Sequence, residues 1–204
     1  DNPRASIPTT VTQYVLVVSE GKKLRKLTRF LAQIKAEERK KRIKQPRRVL
    51  IFVNTIQQSR YVFRTLEKVD YKVALLHGKR TQKEREQALK EFREGKKNIL
   101  VATDVAGRGL HIRNIPFVVN FDFPHTMTQY INRVGRTGRL EQNGTALSFF
   151  TAKRGGMASK LISILKATGQ HIPEELEKLA KVFKEAESQN KTRKFFTDYL
   201  EPLL

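Results

Sequence analysis

Cysteine is absent from all 204 residues, which excludes disulfides and thiolate metal sites and leaves the compartment open. Acidic residues are scarce: 20 Asp and Glu stand against 41 Lys and Arg, for a net charge of +21. That imbalance points to a polyanionic partner, nucleic acid before an anionic membrane surface. No apolar run approaches the roughly 20 residues of a membrane span, so a spanning segment is excluded. No secretory leader pattern opens the chain. It begins Asp-Asn-Pro, without an initiating Met, which fits a piece of something longer. No GxxxxGK[ST] occurs, so the chain lacks a phosphate-cradling loop with its lysine. No acidic pair follows a strand to hold Mg²⁺, and the histidines at 77, 111, 125 and 171 have no ligand spacing, so no metal site is assigned. No nucleophile stands beside a base, and there is neither an internal repeat nor a low-complexity segment.

What is present is an alternation of strand and helix patterns. Apolar, β-branched runs at 11–18, 49–53, 71–76, 98–102, 116–120 and 145–150 read as strands. Helical periodicity covers 21–38, with Leu24, Leu27, Leu31 and Ile34 on one face, and recurs up to 68, over 81–92 and over 157–168. A further helix leads from Met127 through Val134, with Thr126 and Gln129 spaced as a capping box. Asn54 or Thr55 caps the helix ending near 68, and Thr81 with Glu84 forms another capping box. Pro173 opens a last long helix with Leu176, Leu179, Ala180 and Phe183 on its buried side. This order predicts an α/β fold, a parallel sheet of about six to seven strands with helices on both faces. Ligands of such sheets bind at the carboxyl ends of the strands. That directs attention to Asn54-Thr55, His77-Gly78, Thr103-Asp104 and Asp122.

Four stretches carry chemistry. YINRVGRTGR at 130–139 spaces Arg133, Arg136 and Arg139 evenly, with Gly135 and Gly138 between them. Glycine disfavours a helix interior, so the helix should frame these arginines and loosen among them. Guanidinium groups are permanently charged planar forks suited to phosphate. ATDVAGRGLHI at 102–112 follows a strand and brackets Arg108 with Gly107 and Gly109, without the third glycine of a dinucleotide fingerprint. LLHGKRTQKERE at 75–86 sets a helix amino terminus beside Gly78, Lys79 and Arg80, a pattern that suits an anion. LIFVNT at 50–55 is a buried strand by itself. A basic cluster from Lys35 to Arg48 reads equally as a solvated helix end and as an RNA-facing or targeting patch.

Together and in this order, these stretches resemble the C-terminal RecA-like domain of DEAD-box ATP-dependent RNA helicases. LIFVNT looks like motif IV, Gln82 and Arg85 match the QxxR element, ATDVAGRGLHI looks like motif V, and YINRVGRTGR looks like motif VI. The likeness covers roughly residues 10–185, leaving 1–9 as a linker from a missing N-terminal domain and 186–204 as a C-terminal extension. The resemblance implies that Arg136 and Arg139 reach the ATP γ-phosphate across an interdomain cleft, Arg136 as the arginine finger. It assigns Gly109, His111 and Arg133 to the nucleotide side, Arg133 as an organiser of the cleft. It puts Asn54, Thr55, Gly78, Gln82, Arg85, Thr103 and Asp104 near the RNA backbone. ATP with Mg²⁺ would be bound mainly by an N-terminal RecA-like domain of the same protein, which supplies the phosphate loop and acids missing here. The implied partners are RNA, read with little sequence preference, and that N-terminal domain, with a protein contact at the extension and no membrane. The implied setting is intracellular, nuclear or cytoplasmic. Two positions depart from the family pattern: His111 stands where the family usually has an Asp that contacts the ribose, and Asn132 stands where His is usual. A non-catalytic RNA-binding module of the same fold is the alternative, and phosphate contacts alone do not distinguish RNA from DNA.

Overall fold

The computed structural model describes residues 7–104, 112–138, 142–195 and 198. Its strands are β1 (Val11–Val17), β2 (Val49–Val53), β3 (Val73–Leu76), β4 (Ile99–Thr103), β5 (Phe117–Asn120) and β6 (Gly144–Phe150). Its helices are α1 (Lys23–Lys40), α2 (Ile56–Lys68), α3 (Gln82–Arg93), α4 (Met127–Val134), α5 (Ala158–Ala167) and α6 (Glu174–Phe195). Short 3₁₀ turns, Glu20–Lys22 and Ala152–Met157, lead into α1 and α5.

The strands form one sheet in the order β1-β6-β5-β2-β4-β3, every pair parallel. β2 to β5 are buried along their whole length, as expected for strands covered on both faces. Because side chains alternate between faces, Val49, Ile51 and Val53 of β2 pack with Leu27, Leu31 and Ile34 of α1 and Val62 and Leu66 of α2. Leu50 and Phe52 point the other way and join Ala88, Leu89 and Phe92 of α3. On the same side as α3, but over β1 and β6, Tyr130, Ile131 and Val134 of α4 meet Leu161 and Leu165 of α5 and Leu176 of α6. The Tyr130 hydroxyl donates to Gln13 Oε1 at 2.8 Å, so this buried phenol is satisfied.

Local signals explain the helix starts. Thr55, not Asn54, caps α2 by accepting from Gln58 N–H at 3.1 Å. Thr81 and Glu84 form the reciprocal capping box of α3. At α4 only half of the expected box forms. Thr126 accepts from Gln129 N–H, but the Gln129 carboxamide accepts from His125 N–H at 3.0 Å, one residue further back than a box requires. The expected helix from 21 begins instead as the 3₁₀ turn.

Chain order sets up the site. From β2 the chain moves outward to β3, returns to β4, then crosses β2 to reach β5 and β6. Direction reverses around β2, and in open α/β sheets ligands bind in the crevice outside such a reversal.

Candidate functional site

Arg133 stands at that reversal. It lies at the end of α4 and is 1% exposed. Its Nε donates to Asp104 Oδ1 at 2.7 Å, and one Nη donates to Asp104 Oδ2 and to Asn54 Oδ1, the latter at 2.7 Å. The other Nη donates to the Asp122 carbonyl at 2.8 Å and to Asn120 Oδ1 at 3.3 Å. A guanidinium has five N–H donors in a rigid fork, and all five are used. The acceptors lie at or just after the carboxyl ends of β2, β4 and β5, so one side chain pins the three central strand ends to α4. The guanidinium also lies 5.2 Å from the Phe52 ring centre.

A second buried cation continues the network. Lys23, at the start of α1, is 4% exposed and donates to Glu20 Oε1 and Asp122 Oδ1, each at 3.0 Å. Asp122 also accepts from Asn54 N–H at 3.0 Å and Gln58 Nε2 at 3.3 Å. Sequence reasoning singled out Asp122 by its place after a strand and missed Lys23, whose neighbours in sequence form an ordinary helix start.

The backbone loosens directly after Arg133. Gly135 caps α4 with ordinary right-handed geometry, whereas Gly138 has φ +74°. A Cβ at Gly138 would sit 2.4 Å from Val11 Cγ2, so that glycine is required by β1 behind it. Arg136, between the two glycines, is half-buried. It lines an open cleft of about 370 Å³ with Arg113, Asn132, Gly135, Gly138 and Pro8. Ile115 N–H donates to the Arg136 carbonyl at 3.1 Å, and Thr137 Oγ1 donates to the Ile115 carbonyl, so the segment carrying Arg113 is stitched beside Arg136. Burial first, and then the charge of Arg113, lowers the Arg136 pKa from its ordinary value. Two guanidiniums brought together at a partly desolvated wall favour an anion between them. Arg113 was not legible as a site residue, because nothing in its flanking sequence marks it. Gly109, His111 and Arg139 lie outside the described residues.

The residues assigned to RNA divide into two groups. The side chains of Asn54 and Asp104 are committed to the Arg133 hub, Asn54 also donating through Nδ2 to the Phe123 carbonyl at 2.9 Å. Thr103 is buried at the end of β4, and Thr55 is exposed at the end of β2. Gly78 follows β3, and its carbonyl accepts from Arg85 Nη at 2.7 Å, which folds α3 back over the strand end. Gln82 is exposed and donates to Glu86 at 3.1 Å. The Nε atoms of Arg85 and Arg80 are buried without a hydrogen-bond partner. His77, 3% exposed beneath them, accepts from Lys79 N–H at Nδ1. Burial, and then the charges of Arg60 and Arg80, hold its imidazole below the usual pKa, so it stays neutral among these cations. Gly78, Arg85, Thr103 and Thr55 thus follow the ends of three adjacent strands, β3, β4 and β2. Among the described residues no group of three or more His, Asp or Glu side chains could hold a metal ion.

Comparison with known proteins identifies relatives of the fold. The family described as helicase conserved C-terminal domain matches residues 22–141. The chain is 42% identical over 166 residues to the ATP-dependent RNA helicase DBP3 of Candida glabrata, covering 81% of this chain and 30% of that protein. It therefore spans just under a third of that relative's length. Among solved structures, the yeast DEAD-box splicing factor Prp28 matches with a TM-score of 0.71 at 31% identity, over 84% of this chain and 37% of that one. Prp28 of Chaetomium thermophilum bound to ADP matches with a TM-score of 0.70 at 32% identity, over 83% of this chain and 40% of that one. With its six-stranded parallel sheet covered on both faces, a RecA-like fold, and this ordered set of motifs, the chain belongs to the helicase C-terminal domain family and is similar to the C-terminal lobes of DEAD-box proteins.

Proposed function

We propose that this lobe supplies Arg136 and Arg139 to ATP hydrolysis at a cleft shared with an N-terminal RecA-like domain. On the same reading its β3, β4 and β2 ends grip an RNA backbone within an intracellular RNA-remodelling enzyme. The observation that carries this reading is the division of labour along α4. Arg133 spends every donor inside the fold, while Arg136, three residues on, faces an open cleft with Arg113 beside it. Arg133 holds the strand ends and the helix in one rigid unit. Its rigidity fixes where Arg136 emerges.

The residues fit a polyphosphate ligand. Arg113 and Arg136 repel across a partly buried wall, and an anion relieves that repulsion. ATP with Mg²⁺ would be held mainly by the N-terminal domain and supplies the transferable phosphoryl group. This lobe contributes fixed positive charge that meets the charge developing on that group. On the nucleic-acid side, Arg85 and the backbone at Gly78 fit phosphates, which favours binding without base preference. Alone, the lobe is expected to show no ATP hydrolysis above background.

The test is Arg136→Ala in the two-lobed protein. ATP turnover should fall about 10³-fold or more while RNA affinity stays within about twofold, because an interaction made mainly in the transition state is lost from kcat. Arg136→Lys should recover little, since a point charge does not reproduce the planar fork. Intact turnover with lost RNA affinity would overturn the assignment and favour the binding-module reading.

A further inference from the structure

We infer that the cleft between the amino end of α2 and the turn after β6 is a second single-stranded RNA subsite. In it Tyr61 stacks a base while Lys153 and Arg154 hold the adjoining phosphate. The inference rests on the RNA reading above and extends the track beyond the β3, β4 and β2 ends.

The cleft has a volume of about 550 Å³ and is lined by Thr55, Gln57, Tyr61, His125, Lys153 and Arg154, over a floor that contains Lys23 and Asp122. None of Gln57, Tyr61, His125, Lys153 and Arg154 is used by the site already described. Lys23 bridges Glu20 and Asp122 in the floor at 3.0 Å each, which leaves one carboxylate charge uncompensated there. The cations Lys153 and Arg154 outweigh it, and recognition of a phosphate falls to them at the rim. There Tyr61 is 52% exposed, so one ring face is open to a ligand. Lys153 is exposed, and Arg154 reaches across to His125, its Nη donating to Nδ1 at 3.1 Å. That bond sets the guanidinium at the mouth and leaves the His125 Nε2 side and the Gln57 carboxamide for base edges.

An exposed aromatic face beside cations and neutral polar groups is the chemistry that single-stranded nucleic acid requires: a stacking platform with phosphate contacts alongside. A free phosphate has no use for Tyr61, and a membrane surface would need an apolar face. Thr55 lines this cleft and also ends the β3, β4, β2 track, so the two surfaces are continuous. Adjacent strands lie about 4.8 Å apart, so an RNA crossing from β3 to β2 advances about 10 Å before it meets the cleft. A short RNA fills the track alone, and a longer one enters the cleft.

The experiment titrates this chain with labelled oligouridylates of about 4 and about 12 nucleotides, lengths that bracket single-strand site sizes. Tyr61→Ala and the double variant Lys153→Gln/Arg154→Gln should each weaken the long RNA about 10-fold and the short RNA by less than twofold, given the usual worth of a stacked base. Tyr61→Phe should bind like wild type. Arg85→Ala should weaken both lengths. Tyr61→Trp introduces the sole tryptophan of the chain, and its emission should be quenched by the long RNA and not by an acidic peptide. Wild-type affinity of the Tyr61 and Lys153/Arg154 variants for the long RNA, with Arg85→Ala still defective, would overturn the subsite and leave the RNA reading standing. Quenching of Tyr61→Trp by the acidic peptide alone would overturn it in favour of a protein-docking cleft. Absence of RNA binding by wild type at either length would overturn the underlying reading, and the subsite with it.

Discussion

Two arginines three residues apart have opposite fates, and burial decides which is which. Arg133 is buried among five acceptors, so its removal takes the cation from the Asp104 carboxylate, which is partly exposed, and the donor from Asn54 Oδ1. Breaking one side of a buried ion pair typically costs about 3–5 kcal/mol. Arg133→Lys keeps the charge but cannot reach five acceptors in one plane. It should lower stability by about 3 kcal/mol in chemical denaturation. Arg113 is the reverse case, an exposed cation whose neighbour Arg136 feels its charge. Arg113→Gln should leave the fold intact and remove repulsion at the wall. In the two-lobed protein it should raise KM for ATP several-fold with kcat changed less than about twofold, the pattern of a group that binds ground and transition states alike. Steady-state kinetics on the variant separates this from a structural effect, which would move both parameters and the melting temperature. Neither role was legible from spacing alone. The even repeat of Arg133, Arg136 and Arg139 presents three equivalent residues, and only the neighbours of Arg133 make it different.

Elements meet at the sharp turn after α4. Gly138 takes φ +74° with Val11 of β1 directly behind it, so the turn and the edge strand are packed as one piece. Gly138→Ala adds a Cβ in a left-handed conformation and drives it to 2.4 Å from Val11 Cγ2. The conformational term alone is about 1–2 kcal/mol, and the clash adds to it. The melting temperature should fall by about 5 °C or more, and the Arg136 backbone should shift with the turn. Calorimetry with a chemical-shift map checks both, and an unchanged melting temperature would refute the close packing. Capping was legible in sequence at Thr81, where the reciprocal bonds depend on residues three apart. It was only half legible at Thr126, where Gln129 turned back to His125 N–H. Spacing defines which bonds are within reach, and the path of the incoming chain selects among them.

Across the whole molecule, charge and distance sort the basic residues. The cluster from Lys35 to Arg48 lies at the end of α1 and just before β2, at the opposite edge of the sheet from the candidate RNA track. Several members are engaged locally: Lys35 lies 4.2 Å from the Tyr71 ring centre, Arg47 lies 4.9 Å from that of Phe117, and Lys41 pairs with Glu37. A five-residue strand separates the two edges by about 17 Å, some two Debye lengths of about 8 Å at physiological salt. Replacing Lys40, Lys41 and Arg42 by Ala should therefore change affinity for a short RNA by less than about twofold at that salt. The loss should become visible only near 10 mM, where screening extends to about 30 Å. Titration at both salts decides, and a large loss at physiological salt would put RNA on that face. The sequence by itself determined the α/β class, the parallel sheet and the family. Alternation of apolar runs, caps and glycines is local information that survives without coordinates. It also marked the strand ends where chemistry should gather. Tertiary structure alone decided which marked residues are spent inside the fold, as Asn54, Asp104 and Arg133 are, and which line an open cleft, as Arg136 does. It alone brought Arg113 to Arg136, and Lys153 and Arg154 to Tyr61. Such pairings depend on strand order, and strand order is set by burying all the apolar faces at once, a condition that no short stretch of sequence contains.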